Sequence, residues 1–447
     1  MKNFIKKLLF SCVAAAFCVI FTGCMASSAE ELYSLPESSE RYVQIQNKVD
    51  ELQSSGLEYA APTAGTNRQA IQLQDIDGDG TDEAVVFFCT DEDGKKPLCI
   101  HILKDMGETF EVAAVIEGDG TSVDSVTYVD MDGDSILEIV VGWQMTASVK
   151  NLSVYSVKDY QPVSLVLSGY SNYTCADMDG DGDVEILLLH TGTTESAGDV
   201  TMYMLMDDGE VVMSTAYLSV NAERISRVQT GLLADKKNAV FIDSAGGDGV
   251  ITDVMAFTEG SLVNVTIDTK TKNSDTFRNY SVYCSDINGD GIMEIPEPAQ
   301  FMPQSDTVYY AINWNTCTDA GKSETALTTY HNYSDGWYII LPKKSIENIT
   351  IRREDRVSGE RAVVFSIITG ETDANGKPVL HDFMEIYTLS GDNKEDRAKL
   401  SGRFAVARND EQIFAAWIMS GGEQYMTREY VNENFKLIHT TWLTGTV

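Results

Sequence analysis

Residues 177–185 read DMDGDGDVE, and the same spacing returns as DIDGDGTDE at 75–83, DMDGDSILE at 130–138 and DINGDGIME at 286–294. Side-chain oxygens stand at positions 1, 3, 5 and 9 of each copy. The glycines between them supply the positive φ that a tight wrap of backbone needs. Successive starts lie 55, 47 and 109 residues apart. The last gap holds a degenerate copy, LADKKNAVF at 233–241, with most acids gone. A repeat of this length is the mark of a propeller or a similar array.

Reading outward, each motif is bracketed by short β-type runs. After 75–83 come AVVFF (84–88), LCIHIL (98–103) and FEVAAVI (110–116); VDSVTYV (123–129) then leads into the second motif. Four strands per repeat, with the motif between strands one and two, predict an all-β fold: a β-propeller of four-stranded blades. Five blades can be counted between 68 and 333, and the later β-type runs leave room for a sixth or seventh. Residues 38–57 are expected to carry a helix, because Tyr42, Ile45, Val49 and Leu52 share one face and Gly56 stops it. The organisation expected is a signal at 1–23, a polar tether at 24–37, the helix, propeller repeats at 58–333, and a β-rich region at 334–447. That last region either closes the ring or forms a separate domain.

Alternating acids in a tight loop can aim their carboxylates at one point. Ca²⁺ takes six to eight oxygens at about 2.4 Å in flexible geometry. The first set is Asp75, Asp77, Asp79 and Glu83, with the Thr81 carbonyl; the second is Asp130, Asp132, Asp134 and Glu138, with that of Ile136. The third is Asp177, Asp179, Asp181 and Glu185, with Asp183; the fourth is Asp286, Asn288, Asp290 and Glu294, with Ile292. Three or four structural Ca²⁺ ions are expected. An EF-hand is rejected, because it needs helices on both sides and a glutamate at position 12. That position holds Val86, Val141 and Leu188 in three copies; in the fourth it is Glu297, directly after Pro296.

Motif, strand setting and repeat length together resemble the FG-GAP/VCBS family of calcium-loop propellers over about residues 68–300, although the FG and GAP signatures themselves are absent and Ser135 replaces one loop glycine. The resemblance implies structural Ca²⁺ at one face of the ring and a ligand, protein or glycan, at the opposite face. It places that ligand on the loops between strands two and three, at 90–97, 144–150, 191–199 and 243–249.

The N-terminus reads as an address. Lys2, Lys6 and Lys7 precede an apolar run, and Phe21-Thr22-Gly23-Cys24 resembles the bacterial lipobox, which implies a lipid on Cys24 and an extracytoplasmic, membrane-anchored protein. The 68 Asp and Glu against 33 Lys and Arg give a net charge of −35, which repels phosphate backbones and argues against nucleic acid. Cys89 and Cys99 either face each other across a hairpin or stay as free thiols. There is no HExxH or G-x-S-x-G motif, and Trp143, Trp314 and Trp337 read as sheet packing rather than sugar platforms. The function expected is a surface binding, adhesion or envelope-interaction module; the alternative is a secreted polysaccharide hydrolase or lyase.

Overall fold

The computed structural model describes residues 40–90, 97–193, 196–302, 308–343 and 348–438. Cys24, the signal and the tether lie outside them. The described chain is all-β: six antiparallel sheets of four or five strands and three short helices.

Sheet 1 holds β1 (Leu57–Tyr59), β2 (Ile71–Gln74), β3 (Glu83–Thr90), β4 (Leu98–Asp105) and β5 (Phe110–Gly118); β1 and β2 both pair with β3 and act as one interrupted first strand. Sheet 2 is the meander β6 (Ser122–Val129), β7 (Glu138–Gln144), β8 (Lys150–Ser156) and β9 (Val163–Tyr170). Sheet 3 is β10 (Asn172–Ala176), β11 (Glu185–His190), β12 (Asp199–Leu205) and β13 (Val211–Tyr217). Sheet 4 is β14 (Arg224–Leu232), β15 (Asn238–Gly246), β16 (Gly249–Thr258) and β17 (Ser261–Asn264). The degenerate motif becomes the plain hairpin turn between β14 and β15.

Sheet 5 departs from the pattern. Its strands are β18 (Ile295–Gln300), β19 (Tyr310–Cys317), β20 (Ser323–Asn332) and β21 (Trp337–Leu341). The strand expected before the fourth motif is reduced to one bridge, Ser285 to Glu294. Sheet 6 has the order β22 (Ile349–Val357), β23 (Glu360–Thr372), β24 (Pro378–Ser390), β26 (Gln412–Ile418), β25 (Arg403–Arg408). The chain then returns through α3 (Arg428–Asn434), and β27 (Phe435–Leu437) adds to the edge of β21. The last strand of the chain is thus hydrogen-bonded to the fifth sheet.

The sheets pack face to face in chain order. One face of sheet 1 (Val85, Phe87, Ile100) meets sheet 2 (Val126, Ile139, Val141), and the same holds from each sheet to the next. The second strands β3, β7 and β11 are buried on both faces, which explains why they read as continuous apolar runs rather than alternating ones. The far face of sheet 1 (Ala84, Val86, Phe88) is covered by Ile45 and Val49 of α1 (Glu40–Ser54). The far face of sheet 6 (Tyr387, Leu389, Ala415) is covered by Ala398 of α2 (Lys394–Ala398). Among the described residues no buried apolar cluster joins sheets 1 and 6. Tyr42, expected on the buried face of α1, is 53% exposed, while Ile45, Val49 and Leu52 of that face pack on sheet 1.

Cys89 and Cys99 are free thiols. Cys89 pairs across the ladder with Leu98, and Cys99 with Phe88. Alternation therefore sends them to opposite faces, Cys89 toward sheet 2 and Cys99 toward α1. Trp143, Trp314 and Trp337 are buried, each with its indole N–H donated to a Ser or Thr hydroxyl.

Asp243, expected on an exposed loop, lies inside β15 and is fully buried. Its Oδ1 accepts from Arg278 Nη2 at 2.8 Å, and its Oδ2 accepts from the Cys284 amide at 3.1 Å. Arg278 is equally buried and also donates to Thr252 Oγ1 at 2.9 Å. This pair ties the irregular segment 265–285 to sheet 4. Removing one partner leaves a bare buried charge. Asp243→Ala should therefore lower the unfolding free energy by roughly 3–5 kcal/mol, read by denaturant titration.

Candidate metal centre

The four motifs fold alike. The position-9 glutamate, buried in every copy, accepts a hydrogen bond from the position-2 amide: Ile76 to Glu83 at 3.0 Å, Met131 to Glu138 at 3.1 Å, Met178 to Glu185 at 2.6 Å and Ile287 to Glu294 at 3.1 Å. The position-5 aspartate takes the position-7 amide at 2.8–2.9 Å in all four. The position-1 aspartate accepts from a loop amide further on, such as Gly80 to Asp75 at 2.9 Å or Gly180 to Asp177 at 2.6 Å. The loop therefore turns its carboxylates inward. Where copy two has Ser135 in place of glycine, that residue still adopts a φ of 68°.

Three of the four sets converge. One carboxylate oxygen from each of Asp75, Asp77 and Glu83 lies within 4.8 Å of the others, as in Asp130, Asp132, Glu138 and in Asp177, Asp179, Glu185. These clusters could hold a metal ion. In the fourth, Asn288 supplies an amide that donates to Asp290 Oδ2 at 3.0 Å and Glu294 Oε1 at 3.3 Å.

The loops meet their negative charge differently. In the first, Lys104 Nζ stands 2.5 Å from Asp77 Oδ2, and the Tyr160 hydroxyl lies 2.8 Å from both Asp77 Oδ2 and Glu83 Oε1, which share its one proton. Tyr160 comes from sheet 2 on a turn where Asp159 and Tyr160 both have positive φ, a strained geometry that aims the ring across to sheet 1. In the second, Lys158 Nζ sits 3.0 Å from Asp132 Oδ2 and 2.7 Å from Asp134 Oδ2. Yet Asp132 Oδ1 and Glu138 Oε1 are buried with no hydrogen-bond partner, as is Asp75 Oδ1 in the first loop. A buried, unpaired carboxylate oxygen is costly, and a divalent cation satisfies it directly.

The third loop has acids where the first two have lysines. A cleft of about 520 Å³ is lined by Asp179, Asp181, Asp183 and Glu185, with Asp207 and Asp208 from the turn after β12 (Asp199–Leu205). The Asp183 side chain reaches toward the second loop: a Cβ on Gly133 would come within 2.5 Å of Asp183 Oδ1. Burial, then repulsion by Asp181, pushes the Asp179 carboxyl up. Burial also lifts Glu138, Glu185 and Glu294 to about 7, with nearby aspartates adding to it. Of these partners, the sequence reading missed Lys104, Lys158, Tyr160, Asp207 and Asp208. The turns between strands three and four fall at the same end as the motifs, a placement that follows from counting strand directions.

The loops also join the sheets. The position-8 amide of one motif donates to the preceding motif or its counterpart at the end of β14: Leu137 to Ile76 O at 2.8 Å, Val184 to Asp130 O at 3.0 Å, and Met293 to Leu232 O at 2.9 Å.

No family model matches the chain, and no curated protein matches it. Among solved structures it is similar to a Bacillus licheniformis rhamnogalacturonan lyase, at 11% identity and TM-score 0.30 over 60% of this chain and 69% of that one. An exotype rhamnogalacturonan lyase aligns at 12% and 0.29 over 72% and 75%. A Lactobacillus plantarum protein aligns at 10% and 0.28 over 71% and 85%. At these values the likeness carries no argument about activity.

A carboxyl raised in the folded, metal-free protein binds protons that the unfolded chain has already released. The metal-free form should therefore lose stability as pH rises from the ordinary carboxylate range through about 7. Calcium needs the ionised carboxylates, so its stabilising effect should grow over the same interval. Melting at about pH 6 and about pH 8, with and without Ca²⁺, reads both trends. Lys158→Gln removes a competing cation and should tighten calcium binding at the second loop, by calorimetry.

Proposed function

We propose that this chain is a calcium-stiffened binding module of propeller type, of the FG-GAP/VCBS kind, held outside the cytoplasm by a lipid on Cys24. The observation that carries the reading is the convergence of three carboxylate sets, two of them with orphaned buried oxygens, on loops that hydrogen-bond one sheet to the next. Asp75, Asp77, Asp79 and Glu83 hold one ion. The second belongs to Asp130, Asp132, Asp134 and Glu138, and the third to Asp177, Asp179, Asp181 and Glu185. The loop at 286–294, with Asn288, is the weakest site.

In this reading calcium is structural. It relieves repulsion among acids at one end of the sheets and so fixes how neighbouring sheets meet. The other end, where strand-two-to-three hairpins vary in sequence, faces a protein or glycan ligand. The very negative surface supports such a partner over nucleic acid or an anionic membrane surface.

The test is a thermal melt of the full-length chain in EDTA, millimolar Ca²⁺ and millimolar Mg²⁺. A rise of several degrees specific to Ca²⁺, lost stepwise in Glu138→Gln and Glu185→Gln, is the expected result. Equal melting in all three would sink the calcium assignment.

A further inference from the structure

The first strands of sheets 2, 3 and 4 border a cleft of about 700 Å³ that the acidic loops do not line. Its walls include Asp124, Lys150, Tyr170, Tyr173 and Arg227. Two features mark it as built rather than left over. The first is a pair of β-bulges. The ladder of β6 on β7 slips between Val123 and Ser125, so Asp124 is the extra residue; the ladder of β14 on β15 slips between Ile225 and Arg227, at Ser226. Bulges bend a strand and re-aim its side chains, and they gather beside functional sites. Both of these open on the same cleft.

The second feature is charge. Asp124 is 8% exposed, and its Oδ2 accepts from Lys150 Nζ at 2.9 Å and from the Tyr170 hydroxyl at 3.0 Å. Gly142 makes the room: a Cβ there would overlap the Tyr170 hydroxyl. Asp124 and Lys150 thus neutralise each other. Arg227 is different. Among the described residues it has no ion-pair or hydrogen-bond partner, and its Nε is buried and unpaired. The acid across the ladder from it, Asp243, is already held by Arg278. An uncommitted guanidinium in a chain of net charge −35 is a local positive point in an acidic field.

The same cleft also carries hydroxyls. Tyr173 OH bonds Ser125 Oγ at 3.1 Å and Thr127 Oγ1 at 3.0 Å, and Tyr170 and Tyr173 pack edge to face at 5.5 Å. Each hydroxyl keeps a free lone pair, and the tyrosine rings offer a flat apolar wall. β10, the first strand of sheet 3, is half-exposed along its length, unlike the buried β11 beside it, so the wall faces solvent.

We propose that this cleft binds a uronic acid, a sugar carrying one carboxylate, with Arg227 as the fork for the carboxylate and Ser125, Thr127 and Tyr173 for ring hydroxyls. The guanidinium geometry matches a carboxylate with two parallel N–H donors. The acidic surroundings repel a polyanion, which selects one acidic sugar in an otherwise neutral glycan. The inference deepens the binding-module reading, and rests on it for the claim that the ligand is bound rather than cleaved.

The experiment titrates galacturonate and glucuronate, with galactose and glucose as neutral controls, into the calcium-loaded full-length chain by calorimetry or saturation-transfer NMR. Uronates are expected to bind, and Arg227→Gln to weaken them roughly ten- to hundredfold while leaving the calcium melt shift intact. Arg227→Lys, which keeps the charge and loses the fork, should fall between. Equal binding of neutral and acidic sugars, or of uronate to wild type and Arg227→Gln, overturns the site. If no sugar binds while calcium still stabilises the protein, the ligand class is wrong and the calcium reading stands. Uronate binding without any calcium response leaves the cleft and removes the calcium role. Unsaturated sugar ends accumulating from an acidic oligosaccharide would mean the cleft reacts, which ends the binding-module reading.

Discussion

Four buried glutamates, Glu83, Glu138, Glu185 and Glu294, hold the acidic loops in shape. Each ties one oxygen to the amide at position 2, which closes the turn. Closing the turn draws the loop's other acids together, and that creates the charge problem that the surroundings must answer. Desolvation works against each ionised carboxylate, and so does every like charge beside it. The answers are local: a lysine and a tyrosine in the first loop, a lysine beside two orphaned oxygens in the second, an amide in the fourth. The third has further acids and no lysine within bonding distance among the described residues.

The same loops carry the hydrogen bonds that pass from sheet to sheet, through the amides of Leu137, Val184 and Met293. Loop conformation and sheet packing are therefore one problem. A loop that springs open under repulsion would pull on the first strand of its own sheet and on the neighbour. This coupling explains why the degenerate copy at 233–241 survives without its acids. Its hairpin between β14 and β15 still presents the Leu232 carbonyl to Met293, so the stitch is kept where the carboxylates are not. On the first strands of sheets 2 and 4 a different logic rules: bulges at Asp124 and Ser226 break the ladder and turn polar side chains into a cleft.

Most of the architecture was legible in the chain. The acidic repeats fell between strands one and two of sheets 1, 2 and 3, and the runs EIVVGW and EILLLH became the fully buried second strands. Continuous apolar runs signal burial on both faces, so the strand count per sheet could be read directly. The misreadings share one cause, which is that a neighbour in space decided the outcome. Asp243 looked like a loop acid until Arg278, 35 residues later, drew it into a buried pair. The first strand of sheet 5 shrank to one bridge. Tyr42 sits on the right helical face but stays more than half exposed.

The sequence by itself determined the all-β class, the repeat, the four acidic loops and the residues that line them, because these depend on spacing along a few residues of backbone. Tertiary structure alone decided what each loop meets. Lys104 lies 27 residues from Asp77, and Tyr160 lies 83 away on another sheet. It alone left Arg227 without a partner among the described residues, and it alone placed helices over the far faces of sheets 1 and 6. Charge compensation and packing act through space, and residues far apart in the chain carry no local pattern that announces their meeting.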